Sequence, residues 1–351
     1  MIHLCRSSRA LNDCRRLRAL VFETLLAAVV LAISPVGGSA AVSPDVVVTA
    51  DDSGGNGTAN GRQDEFRLVR NGAVIEIYVE GILSRSLPLD TLQTLTVNGS
   101  ADDDTLTVDF SGGNPTPSGG LFYNGGDNGF DTLRLAGGSL GKIAYTYFNP
   151  TDGAINIDGG TLTYTGLEPI LDLVPSPSLI GNGTNANNTI TYTQNSVALH
   201  GLVAVDNFET IEFANKTSLV INGLLGNDDI VLDNPNVPTG LTSITVNGGL
   251  GNDVITVAGD NQVAITINGD EGDDLFKIIP SVTSAITCNG DADVIGDRLL
   301  VLVDADGIVT KDTGSVVKVS GFADVNYTGM EKVDRVPPRK KKTLLKAGSP
   351  L

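Results

Sequence analysis

Between Ile244 and Cys288, apolar and polar positions alternate in short bursts, and the bursts repeat. Ile244-Thr245-Val246, Ile265-Thr266-Ile267 and Ile286-Thr287-Cys288 each precede an Asn-Gly pair, with Asn247, Asn268 and Asn289 spaced 21 residues apart. Successive side chains of a strand point to opposite faces, so the Ile and Val/Ile/Cys columns are predicted to face a core and the Thr column to face outward. A 21-residue period is too short for a helical repeat. It suits one coil of a parallel β-solenoid, with coils stacked ~4.8 Å apart. Within one coil the pattern predicts a strand from Val254 to Val257, a turn from Ala258 to Gln262, a strand from Val263 to Ile267 and a turn from Asn268 to Asp274. Two strands per coil make a flattened β-roll; a three-sided β-helix is the alternative. Outside residues 241 to 303 the period drifts, with Asn-Gly at Asn98, Asn124 and Asn222, and the extra residues are expected to bulge from the coils.

A coarser repeat divides the chain in two. "GNGT" stands at Gly55 to Thr58 and at Gly181 to Thr184, while "YTGLE" (Tyr164 to Glu168) is echoed by "YTGME" (Tyr327 to Glu331). Each module opens on the first motif and closes on the second, which places one solenoid module at 41–174 and another at 175–336, with the Pro-rich Val174 to Ser178 at the boundary.

Composition agrees with an all-β chain. Of 351 residues 42 are Gly and none is Trp, aromatics are 5% and the hydrophobic fraction is 41%, which describes a turn-rich protein with a core of Val, Ile and Leu. Charge is segregated. Residues 1 to 40 carry five Arg and two acids before and around an apolar run from Leu25 to Ile33, followed by Pro35 and "GGSA". This is the pattern of a secretory signal peptide cleaved near Ala40, too short and too charged for a membrane anchor. Residues 337 to 351 carry five bases and no acid, and "PPRKKKTLLKAGSPL" reads as a solvated tail able to dock on a cell-surface or matrix polymer. Residues 41 to 336 hold 39 acidic and 13 basic residues, a net charge of −26. Such a surface repels nucleic acid and anionic lipid and attracts cations.

The acidic turns carry a motif. "GGLGNDVIT", Gly248 to Thr256, fits G-G-x-G-x-D-x-U-x at every position and resembles the calcium-binding nonapeptide of RTX, or haemolysin-type, repeat proteins. Gly223 to Val231, Gly269 to Lys277 and Gly99 to Thr107 keep the register with one or more glycines replaced; the loops starting at Gly125 and Gly290 carry one and two extra residues. The resemblance implies an extracellular bacterial protein with calcium held between successive turns by the motif Asp and by loop carbonyls. Carried over by position, the ligands are Asp253, and then Asp274, Asp228 and Asp104, with the loop residues Gly248, Gly249, Gly251, Asn252 and Asp273 around them. Asp131 and Asp297 match once the insertions are allowed for. That family repeats the nonapeptide in tandem on both edges, whereas here other residues intervene, so at most one edge is expected to carry metal. Calcium accepts six to eight hard oxygens, and glycine permits loops tight enough to aim carbonyls at it. Asn, Asp and Gly also form turns without any ion, and that reading stands beside the first.

Other chemistry lacks parts. His3 and His200 are the only histidines, which leaves no histidine-based zinc site or catalytic triad once the leader is removed. Cys288 occupies a core column, and Cys5 and Cys14 precede the apolar run, so no intrachain disulfide is expected in the mature chain. The Thr column is expected to be an ordinary half-exposed β face rather than a ligand ladder. Asp103/Asp104 and Asp273/Asp274 supply paired acids, but neighbouring strand residues point apart, and the body's charge repels polyanions. The expectation is a secreted, non-enzymatic calcium-binding solenoid for adhesion or coating. The alternative is a parallel β-helix enzyme acting on extracellular polysaccharide.

Overall fold

A computed structural model describes residues 45–49, 62–291, 296–303, 309–312 and 314–336, all within the compact unit Ser43–Leu351. The expected signal segment, the first GNGT and the basic tail lie outside the described residues. The architecture is all-β: two 14-stranded, mostly parallel sheets, with a single short 3-10 turn among the described residues, at Phe110–Gly112. The chain crosses from one sheet to the other and back, so each coil is two-sided. Val254–Val257 lies in one sheet and Ala264–Glu271 in the other.

The repeating triplets stack in register. Ile244 pairs with Ile265 and Ile265 with Ile286, while Val246, Ile267 and Cys288 follow in the next column. All six are buried, and Thr245, Thr266 and Thr287 are half-exposed on the outer face. The opposite sheet answers with Ile230, Ile255, Phe276 and Leu299 in one column and Leu232, Val257, Ile278 and Val301 in another, each fully buried. Two apolar faces close on each other, and burying each such side chain stabilises by about 1.5–3 kcal/mol. Register is reinforced at the strand ends. The amides of Asn222, Asn247, Asn268 and Asn289 each donate from Nδ2 to Oδ1 of the preceding coil's Asn, at 2.7–2.8 Å, starting from Asn182.

Two expectations are corrected. The strand starting at Ala264 runs to Glu271 rather than ending at Ile267, because Gly249 and Leu250 continue the ladder to Asp270 and Glu271. Only the last few loop residues make the turn. Two of the insertions outside the regular region pair within the sheets instead of bulging from the coils. Ile143–Tyr147, Gly153–Ile157 and Gly160–Thr165 form an antiparallel meander in one sheet, and Thr189–Gln194, Gly201–Val205 and Ile211–Phe213 form one in the other. An inserted backbone has to satisfy its own N–H and C=O groups, and a meander does so completely. Both sheets run unbroken across the Val174 boundary, through Ile143–Tyr147, Ser176–Asn182 and Lys216–Leu225 in one and Thr132–Ala136, Ile170–Asp172 and Ile211–Phe213 in the other.

Candidate cation site

Strands of the second sheet open with an acid or amide two residues before the first core side chain, as in Asp104-Thr105-Leu106, Asp228-Asp229-Ile230, Asp253-Val254-Ile255 and Asp274-Leu275-Phe276. Alternation turns that first residue inward, at the turn between the sheets. Asp104, Asp228, Asp253 and Asp274 are accordingly 0–2% exposed. Each uses Oδ1 to accept a backbone N–H from the coil before: Asp228 N–H donates to Asp253, and Asp253 N–H to Asp274, both at 2.7 Å. The ladder continues from Asn188 to Asp228 at 2.7 Å and from Asp274 to Asp297 at 2.8 Å, and closes where Asp297 N–H meets Glu331 Oε2 at 2.6 Å. A second ladder runs from Asp64 through Asp104 to Asp131, at 3.1 and 2.8 Å, and closes on Glu168. Each ladder ends on the Glu of a YTGxE sequence, Glu168 in one and Glu331 in the other.

The motif glycines have separate duties. At the second position the backbone is left-handed in every register-preserving copy of the second module: Gly249 has φ 108°, while Leu224 and Asp270, which replace glycine, are held at 80° and 68°. The first glycine is needed for space instead. A Cβ on Gly248 would stand 2.4 Å from Asp253 Oδ2 and 2.7 Å from the Gly269 carbonyl oxygen, and one on Gly223 would stand 2.4 Å from Asp228 Oδ2 and 2.2 Å from the Gly248 carbonyl. Over each bare glycine, the second carboxylate oxygen and the next coil's carbonyl converge.

Both converging atoms are acceptors. Oδ2 of Asp228 and of Asp253 is buried with no hydrogen-bond donor. Burial, then the charge of Asp104, raises the Asp64 carboxyl to about 6. Burial, opposed by the Asn188 N–H and reinforced by Asp253, raises Asp228 to about 6, and burial together with Asp104 and Glu168 raises Asp131 to about 7. A buried acceptor facing another acceptor needs a proton or a cation between them. The donor set is all oxygen, which suits calcium or another hard cation. Among the described residues no three Asp, Glu, His or Cys side chains gather at one point. Calcium there would take the carboxylate of one rung and carbonyls of the adjoining loops.

Asp253, Asp274, Asp228 and Asp104 thus share one type of position, and Asp131 and Asp297 join them despite their longer loops; Asp104 differs in that its Oδ2 accepts the Ser100 N–H. Asn252 and Asp273 belong to a separate, more exposed row: Asn252 Oδ1 accepts from Asp273 N–H at 3.1 Å, and Asp273 Oδ1 from Gly296 N–H at 2.8 Å. Gly248 stands over the inner carboxylate, whereas Gly249 and Gly251 supply left-handed backbone, with Gly251 at φ 133°. Sequence reasoning missed Asp64, Asn188, Glu168 and Glu331. The strand opening of an acid or amide two residues before a core side chain would have found the first two, and the YTGxE echo the others.

Away from the ladder, a cleft on the outer face of the second sheet is lined by Gln63, Glu65, Arg67, Tyr78, Thr107 and Arg134 among others, with Glu65 as its one carboxylate. Among the described residues no helix is long and apolar enough to cross a membrane. Comparison with protein-family models, with curated proteins and with solved structures yields no match to this chain.

Proposed function

We propose that this chain is a secreted bacterial surface or matrix protein whose non-catalytic β-solenoid binds calcium along one row of turns and serves in adhesion or coating. The observation that carries the reading is the inward carboxylate row, in which Oδ2 of Asp228 and Asp253 faces a carbonyl across a bare glycine with no donor. A row of like charges repeating every ~4.8 Å repels by about 0.9 kcal/mol per neighbour in water and about 3.5 kcal/mol at an effective dielectric of 20. A divalent ion relieves that repulsion at neutral pH. The fit of Gly248 to Thr256 to the RTX nonapeptide, the signal-like leader and the net charge of −26 over residues 41 to 336 support the same reading.

Titration calorimetry of the purified full chain with calcium, after chelator treatment, tests it. The expected result is saturable binding and a melting temperature that rises with calcium at matched ionic strength, because a ligand that binds only the folded form stabilises it. No heat of binding together with a calcium-independent melt would leave the turns as turns. Cleavage of neutral or acidic glycans would favour the polysaccharide enzyme instead.

A further inference from the structure

The opposite row of turns, where strands of the second sheet return to the first, holds a different buried cluster. Lys216 and Asp172 are both 0% exposed, and Lys216 Nζ lies 2.7 Å from Asp172 Oδ1. In the sheet Asp172 is flanked by Leu135 and Phe213, each fully buried. Tyr145, also fully buried, donates its hydroxyl to Asp172 Oδ2 at 2.8 Å. Val174 contributes both backbone groups: its N–H donates to Asp172 Oδ1 at 3.2 Å, and its carbonyl accepts from Lys216 Nζ.

We propose that Lys216 and Asp172 join spontaneously in an intrachain amide between Nζ and Cγ. A dry ion pair is costly to maintain, since each charge loses its hydration and is repaid only through the partner. Burial pushes the Lys216 ammonium down and the Asp172 carboxyl up, toward the neutral amine and carboxylic acid that can react. Contact at 2.7 Å through Oδ1 keeps the nitrogen beside the carboxyl group in a fixed, dry pocket, so the reaction is intramolecular and escapes much of the entropic part of a bimolecular barrier.

The step balances without any co-reactant. The neutral amine attacks Cγ and forms the N–C bond. Tyr145 passes its proton to Oδ2, which also carries the proton of the neutral carboxylic acid, and regains one from the attacking nitrogen. The Cγ–Oδ2 bond then breaks and Oδ2 departs as water. Oδ1 becomes the amide oxygen, with the Val174 N–H already on it as the donor that stabilises developing negative charge. The remaining N–H of the product finds the Val174 carbonyl in place. The surroundings are thus those of a secondary amide, one donor for its oxygen and one acceptor for its nitrogen. The bond would span 44 residues and the module boundary, in a chain whose only cysteine after the leader is Cys288. It is independent of the calcium reading.

Peptide mass mapping of the purified full chain, denatured before digestion, tests the bond. No Lys or Arg lies between Lys142 and Lys216 or between Lys216 and Lys277. Trypsin is expected to spare Lys216 and to release 143–277 lighter by one water. Asp172→Asn is expected to converge on the same product mass, because ammonia leaves in place of water, and Lys216→Arg gives the unlinked control. Quantitative cleavage after Lys216, yielding 143–216 at its unmodified mass, would overturn the proposal whether or not the variants fold. If Tyr145→Phe links as completely as the parent chain, the proton role given to Tyr145 is wrong.

Discussion

Replacing Asp253 by Asn separates the two jobs of a ladder carboxylate. Asp253 Oδ1 accepts the Asp228 N–H at 2.7 Å, and an Asn side chain keeps that acceptor. What Asn removes is the negative charge on a side chain 1% exposed, whose Oδ2 has no donor. Without calcium at pH 7.5 the variant is expected to be more stable than the parent. The gain lies between the about 0.9 kcal/mol of one like-charge contact in water and the about 3.5 kcal/mol at a dielectric of 20. With calcium at about a hundred times its dissociation constant, the parent gains about 2.7 kcal/mol for each site that the variant lacks. Calcium should therefore shift the balance by that amount in the parent's favour, inverting the order wherever the repulsion is below about 2.7 kcal/mol. Asp253→Ala, which strands the Asp228 N–H as well, is expected to lose a further 1–3 kcal/mol or so in both conditions. Urea unfolding followed by circular dichroism, in calcium and in chelator at matched ionic strength, reads both orders. If Asp253→Asn is less stable than the parent by the same amount in both solutions, the carboxylate is a backbone acceptor only, and the cation argument fails.

Three further outcomes follow from named contacts. Ile267→Asp puts an unpaired charge at a fully buried core position and is expected to prevent folding, whereas Thr266→Asp on the half-exposed outer face should cost about 1 kcal/mol or less; equal melting of the two would refute the face assignment. Gly248→Ala must place its Cβ 2.4 Å from Asp253 Oδ2 and is expected to cost about 1–3 kcal/mol, while Gly181→Ala, whose nearest neighbour would be Val203 Cγ1 at 3.5 Å, should be close to neutral in the same unfolding assay. Burial, and then the charge of Glu168, raises Glu209 to about 7, above its unfolded range. The folded state thus holds that proton more tightly, and its contribution, about 3 kcal/mol, is complete below pH ~4.5 and lost as pH rises through about 7. Glu209→Gln should flatten stability across that window, and an unchanged pH profile would refute the assignment.

Local pattern determined much of this protein. Alternation at Ile244-Thr245-Val246 and its copies decides which side chains face inward, because the pleat allows no other arrangement once one face is buried. The 21-residue spacing of Asn247, Asn268 and Asn289 decides that coils stack in register, and the amide ladder through those residues makes the stacking a set of hydrogen bonds. The Gly-to-Asp spacing of the nonapeptide places Asp253 and Asp274 at equivalent turns. Which way those carboxylates point was not in the motif. Their partner is the N–H of a residue one coil away, 25 positions earlier for Asp253 and 21 for Asp274, and only stacking brings it within 2.7 Å. Number of sides per coil, the folding of inserted residues into meanders and the closure of each ladder by Glu168 or Glu331 likewise depend on backbone groups that must find partners across the sheets. The meeting of Lys216 with Asp172 and Tyr145 is the extreme case. These three residues carry no shared motif, and they touch because two strands and a return turn bring them to one dry point in the core.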